Sequence, residues 1–212
     1  LAALSVNRSG FLSLTRMLVN FTFRYSTICS LTPSAILQPF INMAREIRET
    51  RCVNTQALFQ KHLSGLYPDD SLFHSAFSRK IIRGNAQARY ILRKINELLA
   101  PTLAPRSESD PFDLEHILPK RYGAEWEGAR RDFPGGIDKY VHRLGNMTLI
   151  SARLNRNVGN AEFATKKKAY AADCLTITRK VLDAEKWTAE EIKNRQNWLA
   201  ALACKIWRYP AP

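Results

Sequence analysis

Glu115 and His116, with Pro119 three residues on, form the stretch of this chain best suited to chemistry. Histidine titrates near neutral pH and can take a proton from an attacking nucleophile. A carboxylate at Glu115 and an amide oxygen at Asn155 are hard donors, matched to Mg²⁺ or Mn²⁺ rather than to zinc. Asp113 lies two positions before Glu115, on the same face of an extended segment, and is a substitute or supporting ligand. Neighbours on an extended backbone point to opposite sides, so Glu115 and His116 approach one site only where the chain bends. Asn146 follows His116 by thirty residues, and Asn155 follows Asn146 by nine. A base and oxygen ligands of these types are the parts of a hydrolytic centre.

Charge points to what such a centre would act on. The 212 residues carry 32 Lys+Arg against 19 Asp+Glu, a net +13, which predicts a polyanionic partner, with nucleic acid the commonest. A hydrophobic fraction of 45% with 24% charged residues is that of a soluble globular chain and argues against disorder, a collagen-like fibre or a membrane bundle. Cys29, Cys52, Cys174 and Cys204 are scattered and make no CxxC pair, which excludes a disulfide scaffold or zinc ribbon and fits reduced thiols in the cytoplasm. No apolar run approaches the roughly 18 residues of a membrane span; residues 11–23 are broken by Arg16 and Asn20. The chain begins at Leu1 without Met and reads as a C-terminal piece of a longer protein.

The elements expected to position these residues are mainly α, with a small ββα unit set among helices. Residues 1–100 read as a helical region. Leu12, Met17, Leu18, Phe21 and Tyr25 recur near a 3.6 period, Pro33 and Pro39 punctuate the turns that follow, and a helix is expected over 39–51. Residues 68–71 signal a turn and N-cap, and Ile91, Ile95, Leu98 and Leu99 make an apolar stripe over 85–99. Arg79, Lys80, Arg83, Arg89, Arg93 and Lys94 fall within sixteen residues without an acid, so this basic helix is expected to face a polyanion.

Residues 101–111 read as a linker or surface loop, and residues 101–212 as the core that carries the chemistry, the two halves together forming one compact unit. Strands are expected at 112–118 and 144–150, a turn at 134–136, a polar loop at 153–160, and helices over 161–172, 175–182 and 189–207. Arg153 and Arg156 flank Asn155 as candidate phosphate clamps. Lys166, Lys167 and Lys168 spread over 200° of a helix, so they cannot all face one phosphate. His142 reads as packing or a phosphate contact, Asn160 as a helix cap, and the four tryptophans as packing residues, with Trp126 the one that could stack on a base.

The strings DLEHILP, RLGNMTLIS with its trailing Asn155, Gly159, Asn160, Phe163, Lys166 and Tyr170, and the closing Trp187-to-Trp207 segment resemble the HNH, or ββα-metal, endonuclease signature. More specifically they are similar to the C-terminal nuclease domain of GmrSD-type modification-dependent restriction proteins, to which SspE-type phage-defence proteins are related. The upstream segment LYPDDSLFHSAF resembles the helical lead-in of that family. The resemblance implies a metal-dependent DNA endonuclease serving phage defence or restriction, with an NTPase or sensor domain upstream on the full-length chain. It implies His116 as general base, Glu115 and Asn155 as ligands of one divalent cation, and Asn146 as the residue holding the histidine-bearing loop without touching the ion. It also favours Lys166 as the inward-facing lysine, and adds it to the phosphate contacts. Rival readings are a non-catalytic nucleic-acid-binding module that keeps the fold, and an RNase of the same fold.

Overall fold

A computed structural model describes residues 8–101, 112–172 and 175–209. They belong to two compact units, Leu1–Phe77 with Trp207–Pro212, and Ser78–Ile206. The break expected at residue 101 falls inside the second unit, because the helix before it packs on the strands and helices after it. Most of the expected linker, and Cys174, lie outside the described residues.

The first unit is helical: α1 (Arg8–Thr22), which continues as a π-turn over Phe23–Ile28, α2 (Ser34–Thr50), α3 (Thr55–His62) and α4 (Asp70–Phe77). Met17, Phe21, Met43, Ile47 and Leu63 fill its core. Pro39 lies inside α2 rather than punctuating a turn before it; burial of Ile36, Met43 and Ile47 along one face offsets the lost hydrogen bond. Asp69 caps α4 by accepting from the Leu72 N–H at 2.7 Å. Arg24, fully buried, donates to the Trp207 and Pro68 carbonyls and to Asp70, and sits over the Tyr67 and Phe73 rings.

In the second unit, α5 (Asn85–Leu99) matches its expected span and buries Ala88, Ile91, Leu92 and Ile95, whereas Leu98 stays exposed. Arg79, Lys80 and Arg83 precede this helix instead of lying on it: their segment is a connector pinned by an Ile81–Arg143 bridge and an Ile82 N–H to His142 carbonyl bond of 2.9 Å. β1 (Phe112–His116) and β2 (Met147–Ser151) form a two-stranded antiparallel sheet in which Glu115 pairs with Thr148 and His116 with Met147. The chain between them carries α6 (Asp138–Val141) and a 3₁₀ turn at Leu144–Asn146. Then come α7 (Ala152–Val158), α8 (Phe163–Ala172), α9 (Thr176–Arg179) and α10 (Ala189–Ile206). Trp126, Phe133, Tyr170, Trp187 and Ile192 belong to the core.

Two local expectations give way here. Asn146 belongs to the 3₁₀ turn that leads into β2, not to the strand itself. The segment expected as a polar loop contains α7: Ser151 caps it by accepting from the Leu154 N–H at 3.3 Å, and Gly159 ends it at φ 44°.

The long α10 braces the turn at 144–146. Gln196 Oε1 accepts from Arg143 Nε at 2.8 Å, and its Nε2 donates to the Lys80 carbonyl at 2.9 Å. The buried Arg195 guanidinium donates to the Gly145 and Met147 carbonyls at 2.9 and 2.7 Å. The backbones come so close that a Cβ on Gly145 would stand 2.0 Å from the Ile192 carbonyl oxygen. Gly145→Ala is therefore expected to cost about 3 kcal/mol, as overpacking against a backbone that cannot rotate away. Urea unfolding checks this; a loss below about 1 kcal/mol would mean that α10 shifts freely.

Candidate active site

β1 with the loop after it, and α7 with the turn that ends it, build one surface cleft of about 240 Å³, lined by Leu114, Glu115, His116, Pro119, Lys120, Asn155, Gly159 and Asn160, with Asn85 from the start of α5. The sheet brings Glu115 and His116 to its end, and α7 brings Asn155 beside β1. Asn155 Nδ2 approaches Asp113 Oδ2 at 3.5 Å, a weak contact, and Asp113 also has Arg89 at 3.6 Å.

Glu115 is buried and its two oxygens differ. Oε1 accepts from Lys166 Nζ at 2.6 Å and from the Tyr170 hydroxyl at 2.8 Å. Oε2 makes no hydrogen bond to any described residue and is not sealed from solvent. The same ammonium donates to the His116 carbonyl at 3.0 Å. Phe163, Lys166 and Tyr170 are the buried positions of α8, spaced three and four apart on one face. The lysine is therefore carried inward by the stripe that packs the helix. Its side chain is fully buried, so its assignment as a phosphate contact is corrected: the ammonium is spent on Glu115. Of its neighbours, Lys167 donates to the Ala184 carbonyl and Lys168 is exposed.

His116 is 8% exposed. Nε2 is its buried nitrogen, without a partner among the described residues, which leaves Nδ1 as the nitrogen open to the cleft. Burial, with Lys120, His142 and Lys166 adding to it, lowers the imidazole from its usual 6.5 to about 3. The ring is thus neutral at pH 7, with a lone pair for a proton. The His142 ring stands edge-on to it, centroids 5.9 Å apart. Its own protonation is also disfavoured, by burial and then by Lys120 and Arg83.

Asn146 stays outside the cleft and is fully buried behind it. Its Oδ1 accepts from the Leu118 N–H at 2.8 Å and from Trp187 Nε1 at 2.9 Å. Its Nδ2 donates to the Leu118 and Val141 carbonyls at 2.9 and 3.0 Å, and its own carbonyl accepts from the Ile117 N–H. Every side-chain bond thus goes to the loop after His116 or to the core that holds it. Arg153 and Arg156 are exposed on α7; Arg79 and Arg83 are exposed, and Lys80, Arg89 and Arg93 half-buried, on the connector and α5. Lys94 is paired with Glu97 at 2.7 Å. Trp126 is 2% exposed and donates to the Asn160 carbonyl, so base stacking is ruled out for it in this packing. Lys120 escaped the sequence reading, although its place directly after Pro119 was the available signal: its ammonium lies at the cleft, 3.1 Å from Asn85 Oδ1.

This is a mainly α domain organised around a ββα unit, with an acid–histidine strand and an asparagine-held loop facing one cleft. The chain belongs to the family described as the C-terminal domain of GmrSD restriction endonucleases, whose model matches residues 67–202. No curated protein matches it. Among the described residues, no helix is long and apolar enough to cross a membrane, and Cys29, Cys52 and Cys204 form no disulfide.

A histidine whose folded value lies below its unfolded one resists protonation in the native state, so the unfolded chain gains protons first as pH falls. Stability from His116 is complete above about 6.5 and is lost progressively toward 3. Urea unfolding at pH 7 and pH 4.5 is expected to show a larger acid loss for the parent than for His116→Gln. Equal losses would place the imidazole in contact with solvent in the native state.

Proposed function

We propose that the Ser78–Ile206 unit is an HNH-type, metal-dependent DNA endonuclease that hydrolyses phosphodiester bonds. The observation that carries this reading is the shared cleft: His116, Glu115 and Asn155 all line it, the imidazole is neutral at pH 7, and Glu115 Oε2 and Asn155 Oδ1 have no hydrogen-bond partner among the described residues. Two hard oxygens of this kind fit one Mg²⁺ or Mn²⁺, with Glu115 and Asn155 as its holders and Asp113 in reserve behind Asn155. When bound, such an ion polarises the scissile phosphate and neutralises the leaving oxygen.

The chain's own residues do the rest. His116 takes a proton at Nδ1 from the water that attacks phosphorus, and the bond from phosphorus to the leaving oxygen breaks. Lowering of the imidazole by Lys120 weakens it as a base, and an anionic phosphate drawn in beside Lys120 opposes that effect. Asn146 keeps the His116 loop in register by holding both polar groups of the Leu118 backbone. Arg153 and Arg156 on α7, with Arg79, Lys80, Arg83, Arg89 and Arg93, steer and hold the duplex backbone, contacts that position DNA without reading it. In the cell the reading is restriction of foreign or modified DNA, such as phage DNA in the cytoplasm, with an NTPase or sensor domain upstream on the same chain.

Supercoiled plasmid tests it. Conversion to open circle, followed by linear product if two sites act together, is expected with Mg²⁺ or Mn²⁺ and not with EDTA, and His116→Ala is expected to abolish it while leaving duplex binding intact. Cleavage that survives in EDTA or in the variant would refute the mechanism; binding without cleavage under every condition would favour a non-catalytic module. Arg153→Ala and Arg156→Ala are each expected to weaken duplex binding and to flatten the log–log salt dependence by about 0.9. An unchanged slope would remove that arginine from the backbone contacts.

A further inference from the structure

Glu115, which lines the cleft, and Asp113, which lies beside Asn155 and outside the lining, are each matched by a cation from the protein. Lys166 contacts Glu115 Oε1 at 2.6 Å, and Arg89 stands 3.6 Å from Asp113. Lys120 adds a third cation at the cleft wall. Two carboxylates thus face three basic side chains, and the tightest of these pairs is buried, where it is least screened by salt; burial disfavours the Lys166 ammonium, and the charge and hydrogen bond of Glu115 oppose that effect. A divalent cation approaching Glu115 Oε2 meets a carboxylate whose charge is already neutralised. Among the described residues, no three His, Cys, Asp or Glu side chains gather to hold an ion by themselves.

We infer that Lys166 is a positioning residue that makes cation capture conditional on DNA: the ion is held only when a backbone phosphate enters the cleft and supplies the negative charge and oxygen ligands that the protein withholds. This rests on the metal-dependent reading above and goes beyond it by assigning an order, duplex and ion together rather than ion first. The lysine acts through Glu115 and the His116 carbonyl, both within hydrogen-bond reach of its ammonium, and touches no substrate. The neutral Tyr170 hydroxyl orients the same oxygen and contributes no charge. A nuclease built this way stays unloaded while cellular Mg²⁺ is abundant but no duplex is engaged.

Mn²⁺ binding, followed by loss of the free-ion electron paramagnetic signal, reads this without turnover. The full chain carrying His116→Ala is titrated with Mn²⁺ alone and with a short duplex. Duplex is expected to tighten Mn²⁺ binding at least about tenfold, and Lys166→Met to tighten DNA-free binding by about the same factor, erasing most of the difference. Lys166→Arg, which keeps the charge, and Tyr170→Phe, which removes only a neutral donor, are both expected to preserve the dependence on duplex. Circular dichroism establishes that each variant is folded, and should Lys166→Met fail to fold, the parent with and without duplex and the other two variants still decide. Equal Mn²⁺ affinity with and without duplex in the parent, or no gain in a folded Lys166→Met, overturns the inference and leaves the nuclease reading standing. Absence of Mn²⁺ binding in every state, duplex included, overturns both.

Discussion

The contact between the Lys166 ammonium and Glu115 joins α8 to β1 at the point where the candidate chemistry sits. Burying two charges is costly, and such a pair contributes less to stability than to arrangement. Here it sets which oxygen of Glu115 is used up and which is left, and it ties the peptide carbonyl of His116 to the same ammonium. Adjacent strand residues normally face away from each other. The shared ammonium holds the acid's carboxylate and the histidine's main chain to one group, so both residues keep a fixed relation to the cleft.

Behind this contact stands a second support that uses almost no ion pairing. Asn146 satisfies the loop after His116, and the turn carrying Asn146 is in turn held by α10 through Gln196 and Arg195. Arg195 is buried, and among the described residues its hydrogen bonds run mainly to backbone carbonyls, with Thr148 Oγ1 as a side-chain partner; burial pulls its guanidinium down to about 9. Carbonyl dipoles of the 144–147 turn thus take the place of a carboxylate. The absence of a side chain at Gly145 permits the close approach that makes this possible.

Much of this frame was legible from residue types. The spans of α5 and α10, the cap within residues 68–71 and the start of the first strand follow from periodicity and capping chemistry, and the gathering of Glu115, His116 and Asn155 follows from the family resemblance. The helix at α7 was harder to read because residues 152–158 offer only Ala152, Leu154 and Val158 as apolar markers among arginines and asparagines. Its Ser151 cap and Gly159 terminator were the legible signals. Lys166 was legible as the inward-facing one of three lysines, but not as the partner of Glu115: its spacing to Phe163 and Tyr170 places it on the packed face and says nothing of which group its ammonium meets there. The group of residues 79–83 with the basic helix failed because local charge density says nothing about where a helix begins.

What the chain determines by itself is the local chemistry: which residues cap, which stripe packs, which side chains can donate oxygen or accept a proton. Those properties depend on neighbours within a few positions, so one sequence suffices to read them. Tertiary structure decided the charge state of the site. Whether Glu115 meets solvent, an ion or an ammonium depends on a lysine fifty-one positions away, and whether His116 is neutral depends on how deeply it is buried and which cations surround it. Electrostatic energy falls with distance in space and rises as water is excluded, and neither quantity is written in the order of the residues.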